Sequence, residues 1–252
     1  MGERKRKLTK NQRFLADHPY CCFCGGTVAA MTSDHVPNRA FFVNRDWPEG
    51  YEFPSCSDCQ VGSRVSELVC AAVMRAAPAP NEFVVDEVAR LFRGFSHNDP
   101  DAWKEFVGVE RTSSLVLPAS VQRRLRRPNG SGVFNLGPKI HVHIENYVTK
   151  LTKALYYMHV GQIVPVQAAV EYFTVSNAEI GEPHERQIVA MKLPGEAKLS
   201  RCSNARTKAP ISDQFQYSYV IGTSPPIDAV FKIRFHQALM AASTVIHSPQ
   251  AD

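Results

Sequence analysis

The chain has 252 residues, 44% of them hydrophobic and 21% charged, enough apolar mass to bury a core and too much for a disordered polymer. Its net charge is +5, but residues 1–13 hold six of the 29 basic residues and one of the 24 acidic ones, so the remainder is balanced and the excess sits in one arm. There is no run of 18 apolar residues, and the first residues are basic rather than an apolar signal core; both argue against a membrane span or export and lead us to expect a cytoplasmic protein.

Residues 1–19 read as a basic lead-in, suited to phosphate contacts through counterion release or simply a solvated terminus. Residues 20–77 read as one compact unit. Its first part is rich in Cys, Gly, Pro and aromatics without helical period, which suggests knuckles and short strands. From Gln60 to about Ala76, the residues Val61, Val65, Leu68, Val69, Ala72 and Val73 recur at three- and four-residue steps and predict a helix. Pro78 and Pro80 then mark a boundary.

Residues 78–252 read as a second unit, of α+β class. Val85, Val88, Leu91, Phe92 and Phe95 form an amphipathic pattern, and Asp99 with Pro100 gives the cap and first turn of a further helix through Phe106. A long helix is expected from about His141 to Val160, stopped by Gly161. Phe215, Tyr217 and Tyr219 alternate with polar residues, a Gly/Pro-rich turn follows at 222–226, and Phe231, Ile233 and Phe235 alternate again, predicting an antiparallel hairpin.

Seven cysteines include two CxxC pairs, Cys21/Cys24 and Cys56/Cys59, in a chain with no export signal. Four thiolates at this spacing can surround a structural Zn²⁺, and the glycines after the first pair let the backbone bend back toward the metal. Cys22, Cys70 and Cys202 are left over: Cys70, one helical turn beyond Glu67, is most simply a packing residue, and Cys22 is a competing ligand that breaks the two-residue gap. A closed four-thiolate site does no chemistry, so attention falls on what lies between the knuckles. Asp34 and His35 stand side by side at the expected end of a short strand. Neighbours on a strand point to opposite faces, so the two share one site only if the strand ends or twists there, as Pro37 suggests. A carboxylate holding a divalent ion and a neutral imidazole activating water is the pair that phosphodiester hydrolysis needs; a turn cap and a structural histidine is the plainer alternative.

The order CxxCGG, then TSDHVPNRAFF, then PSCSDC running into a helix resembles the HNH endonuclease family, specifically bacterial members with a DHVP motif between two CxxC knuckles. The resemblance covers residues 20–67. It implies a ββα-metal unit tied by structural zinc at Cys21, Cys24, Cys56 and Cys59, with Asp34 as catalytic-metal carboxylate and His35 as general base. It also implies a catalytic Mg²⁺ or similar divalent ion completed by the residue after the last cysteine. The family usually has Asn or His there; this chain has Gln60, whose extra methylene moves the carbonyl oxygen by about a bond length. Asn44 or a backbone carbonyl would orient the His35 ring. Arg39 is the expected phosphate contact and Arg64 a weaker one, and Ser63 and Glu67 share the helical face of Gln60.

Elsewhere, Arg123, Arg124, Arg126 and Arg127 form a second basic cluster, and His141 and His143 alternate without ligand-spaced partners. The expectation is therefore a metal-dependent HNH-type endonuclease on nucleic acid, DNA first, acting in bacterial antiviral defence, with a homodimer or a regulatory protein as further partner. A non-catalytic zinc module that binds nucleic acid or protein is the alternative.

Overall fold

A computed structural model describes residues 8–76, 83–108, 136–176, 197–236 and 239–247. The first seven residues of the basic arm, the Pro78/Pro80 boundary and the arginine cluster at 123–127 lie outside them.

The remainder of the arm is not extended. Helix α1 (Lys10–Asp17) begins at a reciprocal cap: the Thr9 hydroxyl accepts from the Gln12 backbone N–H while the Gln12 side chain accepts from the Thr9 N–H. A short antiparallel hairpin follows, β1 (Thr32–His35) against β2 (Glu52–Ser55), in a register that sets Thr32 opposite Ser55 and His35 opposite Glu52. Helix α2 (Ser57–Ala76) starts three residues before the expected Gln60, because the second knuckle forms its first turn: the Gln60 N–H already donates to the Cys56 carbonyl.

The C-terminal region is mixed helix and antiparallel sheet, as expected. Helix α3 (Phe83–Asn98) leads into α4 (Pro100–Val107), which Asp99 caps by accepting from the Ala102 N–H at 2.9 Å. Helix α5 (Pro138–Val160) ends at Gly161 in the left-handed conformation, φ 73°, where a residue without Cβ costs least. Five antiparallel strands, β3 (Ala169–Ser176), β4 (Lys198–Leu199), β5 (Phe215–Ile221), β6 (Ala229–Phe235) and β7 (Leu239–Ile246), form one sheet in the order β3-β7-β6-β5-β4. The expected hairpin is β5–β6, with Phe215 opposite Phe235 and Tyr219 opposite Phe231.

Helix α5 is the centre of the molecule. It buries residues around most of its circumference, from Ile144 and Tyr147 to Leu155 and Tyr156, as a helix covered on two sides must. On one side the Thr152 hydroxyl bonds Ser243 in β7 at 2.7 Å and the Tyr156 hydroxyl donates to the Ile227 carbonyl. On the other it meets α2, where His143 links Ser66 (3.1 Å) to Asp99 (2.8 Å) and the Cys70 thiol donates to the His143 carbonyl. His141 and His143 thus lie in the first turns of α5, and His143 is structural. Phe41, from the loop after β1, stacks on Tyr147 of α5 at 4.5 Å and packs on Phe235 of β6 at 5.3 Å. One hydrophobic core therefore runs from the cysteine-rich unit into the sheet. No helix among the described residues is long and apolar enough to cross a membrane.

Candidate functional site

The Sγ atoms of Cys21, Cys24, Cys56 and Cys59 all lie within 4.8 Å of one another. A tetrahedral ion at ordinary Zn–S distance separates its sulfurs by roughly 3.8 Å, so this cluster fits a metal such as zinc with little adjustment. The local chain explains the geometry. Gly25 and Gly26 have φ of 75° and 73°, turning the first knuckle back on itself so that the Gly26 N–H reaches the Cys21 carbonyl. A Cβ on Gly25 would stand 2.4 Å from the Val166 side chain. The second knuckle rides on the first turn of α2, where the helix dipole favours thiolate charge. Cys22 is buried and burial pushes its thiol far up, with Cys21 adding to the rise; it stays outside the cluster.

The structure parts Asp34 from His35. The β1–β2 ladder continues through His35, so the strand does not end before the pair, and the two side chains turn to separate clusters. Asp34 is buried with its carboxylate 2.5 Å from the Lys150 ammonium of α5. Lys150 also reaches Glu67 at 2.5 Å and Ser63 at 2.7 Å, Ser63 donates to Glu67, and Asn38 donates to the other Glu67 oxygen at 2.7 Å. Burial opposes the charge of Lys150, but Glu67 and Asp34 outweigh it and hold its pKa above the ordinary lysine value. Asp34 is pushed up, by burial first and by Glu67 next, against the pull of Lys150. The two directions agree physically: one ammonium cannot fully offset two buried carboxylates, so a carboxylate gives way first.

This arrangement does not fit the catalytic divalent ion that the family resemblance implies. Asp34 is committed to an ammonium. Gln60, in the first turn of α2, makes no side-chain hydrogen bond among the described residues. The four thiols are the one group of three or more Cys, His, Asp or Glu ligands found among those residues. Glu67 and Ser63 do face Asp34, as their spacing predicts, but around Lys150.

His35 belongs to a different cluster. Its Nε2 lies 2.8 Å from an Arg39 terminal nitrogen; a guanidinium only donates, so Nε2 is the acceptor and Nδ1 carries the proton. That Nδ1 and the Arg39 Nε are both buried without a partner. The ring stacks near Trp47 at 5.9 Å, and the Trp47 ring in turn carries the Arg39 guanidinium at 3.7 Å and that of Arg206 at 4.8 Å. Burial lowers the His35 pKa and the Arg39 charge lowers it further, against the pull of Glu52 and Asp34, so the imidazole is neutral near pH 7. Asn44 plays no part here; its backbone N–H bonds Glu87. Arg64 is exposed on α2.

Trp47, Lys150 and Arg206 were not singled out by the sequence. Lys150 had a readable signal, a lysine inside the apolar stripe of Tyr147, Leu151 and Ala154 that demands a buried carboxylate. Trp47 and Arg206 meet across 159 positions of sequence and had none. No family model, curated protein or solved structure matches the chain.

Proposed function

We propose that the protein binds nucleic acid and hydrolyses its phosphodiester bonds at His35, in the manner of an HNH-type endonuclease, with DNA cleavage in bacterial antiviral defence as the setting that goes with this reading. The observation that carries it is the His35–Arg39 pair: a neutral imidazole with a defined acceptor nitrogen, at the end of a strand that the four-thiol cluster ties to a helix, bonded to a guanidinium suited to phosphate. In the resting arrangement Arg39 covers the His35 lone pair. A phosphate that binds Arg39 draws the guanidinium away and leaves Nε2 free to take a proton from water. The water oxygen then attacks phosphorus, the bond to the leaving oxygen breaks, and solvent protonates that oxygen. Arg39 offsets the charge that develops on the phosphoryl oxygens. No step is assigned to a divalent ion.

A supercoiled-plasmid assay tests this, run without metal and with Mg²⁺, Mn²⁺ or Ni²⁺, on the zinc-loaded protein and on His35→Ala. Removing a general base costs on the order of 10²–10⁴ in rate, so the folded variant should leave the plasmid intact. Equal background from both proteins would refute hydrolysis. That result would favour the non-catalytic zinc module, the reading that the Lys150 ammonium on Asp34 supports.

A further inference from the structure

A cleft of about 940 Å³ opens beside the His35 cluster, between α1, the β-hairpin, the C-terminal end of α5 and the loop at Ala205. Its walls are mixed in character. Phe14, Trp47 and Tyr157 contribute aromatic surface, and the carboxylates of Glu49 and Glu52 are already paired with Lys208 and Lys10. Trp47 stands where the cleft meets the arginines, and Ala205, a neighbour of Arg206, lines the same space.

The arginines are the unusual feature. Neither Arg39, Arg45 nor Arg206 has a carboxylate within ion-pair distance among the described residues; of the acids that line the cleft, Glu49 and Glu52 are paired with lysines and Asp17 stands at the α1 side. Arg39 leaves a buried Nε–H without an acceptor. Burial lowers its pKa and the neighbouring Arg206 and Arg45 charges lower it further, against a smaller pull from Glu52, the mark of gathered like charges that the nearby carboxylate does not offset. A planar, bidentate donor set of this kind suits phosphate, and the aromatic walls suit the flat face of a base. Paired bases in a duplex do not expose those faces, and a pocket of this volume is the size that takes one drug-sized group.

We propose that this cleft seats an unpaired nucleotide of a nucleic-acid strand, its base against Phe14, Trp47 and Tyr157 and its phosphate on Arg39 and Arg206. The assignment deepens the nucleic-acid reading above and rests on it. It makes the protein selective for single strands or for an extruded base, and it gives the C-terminal region, through Arg206, a direct part in holding substrate beside His35.

The chain has two tryptophans, so Trp103→Phe leaves Trp47 as sole reporter. This background is titrated with a single-stranded oligothymidylate and with a duplex of equal length, without added divalent metal. The single strand should change Trp47 emission saturably and bind at least tenfold more tightly than the duplex. Arg206 is exposed, and Arg206→Ala should weaken single-strand binding several-fold and reduce the slope of log K against log salt by about 0.7, the value of one released counterion. Phe14→Ala should weaken binding at least fivefold with the slope unchanged, as loss of stacking does. Equal affinity for both forms, or an unaltered salt slope in Arg206→Ala, overturns the proposal. Selective binding with no cleavage of either the plasmid or the single-stranded oligonucleotide would sink hydrolysis and keep the cleft; cleavage with no preference for single strands would do the reverse.

Discussion

Replacing Lys150 by methionine tests the reading of the Asp34 cluster as structural. Methionine keeps the apolar stem, which packs with its ammonium 4.9 Å from the Phe23 ring, and removes the charge alone. The side chains of Lys150, Asp34 and Glu67 are only 6%, 11% and 10% exposed, so solvent cannot replace the lost partner. Breaking a buried pair this way costs about 3–5 kcal/mol. An independent route gives the same size: the cluster escapes the repulsion by protonating a carboxylate, which at pH 7 costs about 4 kcal/mol from ordinary carboxylate values. For a chain of this length that lowers Tm by roughly 6–20 °C. The pH dependence follows. In the variant the folded carboxylates have raised pKa values, so the folded state binds more protons than the unfolded one and its stability falls as pH rises from about 4 through the folded value. Thermal unfolding of wild type and Lys150→Met at pH 7 and pH 5 should therefore show a deficit that shrinks to about 1–2 kcal/mol at the lower pH. A deficit below about 1 kcal/mol at pH 7, or one that is the same at both, would refute the reasoning.

Other tests follow from the structure. The four-cysteine cluster predicts one zinc per chain by elemental analysis and a tetrahedral thiolate spectrum on cobalt substitution. Cys56→Ser should abolish both and unfold the hairpin, since binding free energy at such sites is folding free energy; full metal content in that variant would exclude Cys56 as a ligand. His159 is bonded to the Tyr217 hydroxyl at 2.8 Å and stacked on Tyr219, and burial, with Lys198 nearby, lowers its pKa to about 4. Its folded value lies below the unfolded one, so it lends stability that is fully present above about pH 6.5 and is lost as pH falls toward 4. For this half-buried ring, screening trims the effect to about 1–2 kcal/mol, and a His159→Gln variant should flatten the pH curve in that window; an unchanged curve would show that the loss comes from elsewhere.

Local signals in the chain were read well. The two knuckles, the α2 stripe, the Asp99–Pro100 start and the Gly161 stop of α5 depend on neighbours within one or two turns, and each stands within a few residues of its expected place. The α1 cap is equally local: Thr9 with Gln12 is a capping box, set within a segment whose dominant feature is its charge. What escaped depends on long-range partners. Strands β3, β4 and β7 lack clean alternation; Ala241, Ala242 and Ser243 run consecutively buried in β7 because α5 and neighbouring elements cover them. The candidate site was half legible. Asp34, His35, Arg39 and Glu67 were all identified, but their division between two clusters was decided by the β1 pleat and by Lys150, 116 positions away from Asp34.

That division makes the hairpin intolerant of slippage. Sliding β1 by a single residue against β2 would reverse every side chain: the imidazole would be driven in among Lys150 and Glu67, and a carboxylate would face the arginines that now await an anion. The first outcome strips Lys150 of its Asp34 partner, and the second puts the chain's own carboxylate where an incoming anion would sit. The hydrogen bonds that fix the alignment, Cys22 N–H to the Pro54 carbonyl and Met31 N–H to the Ser55 carbonyl, flank the two knuckles themselves. An ion held by the four sulfurs would thus act as a locating pin for a strand pair only four residues long. Stripping it would scramble which of two adjacent residues faces the cleft before it unravelled the fold.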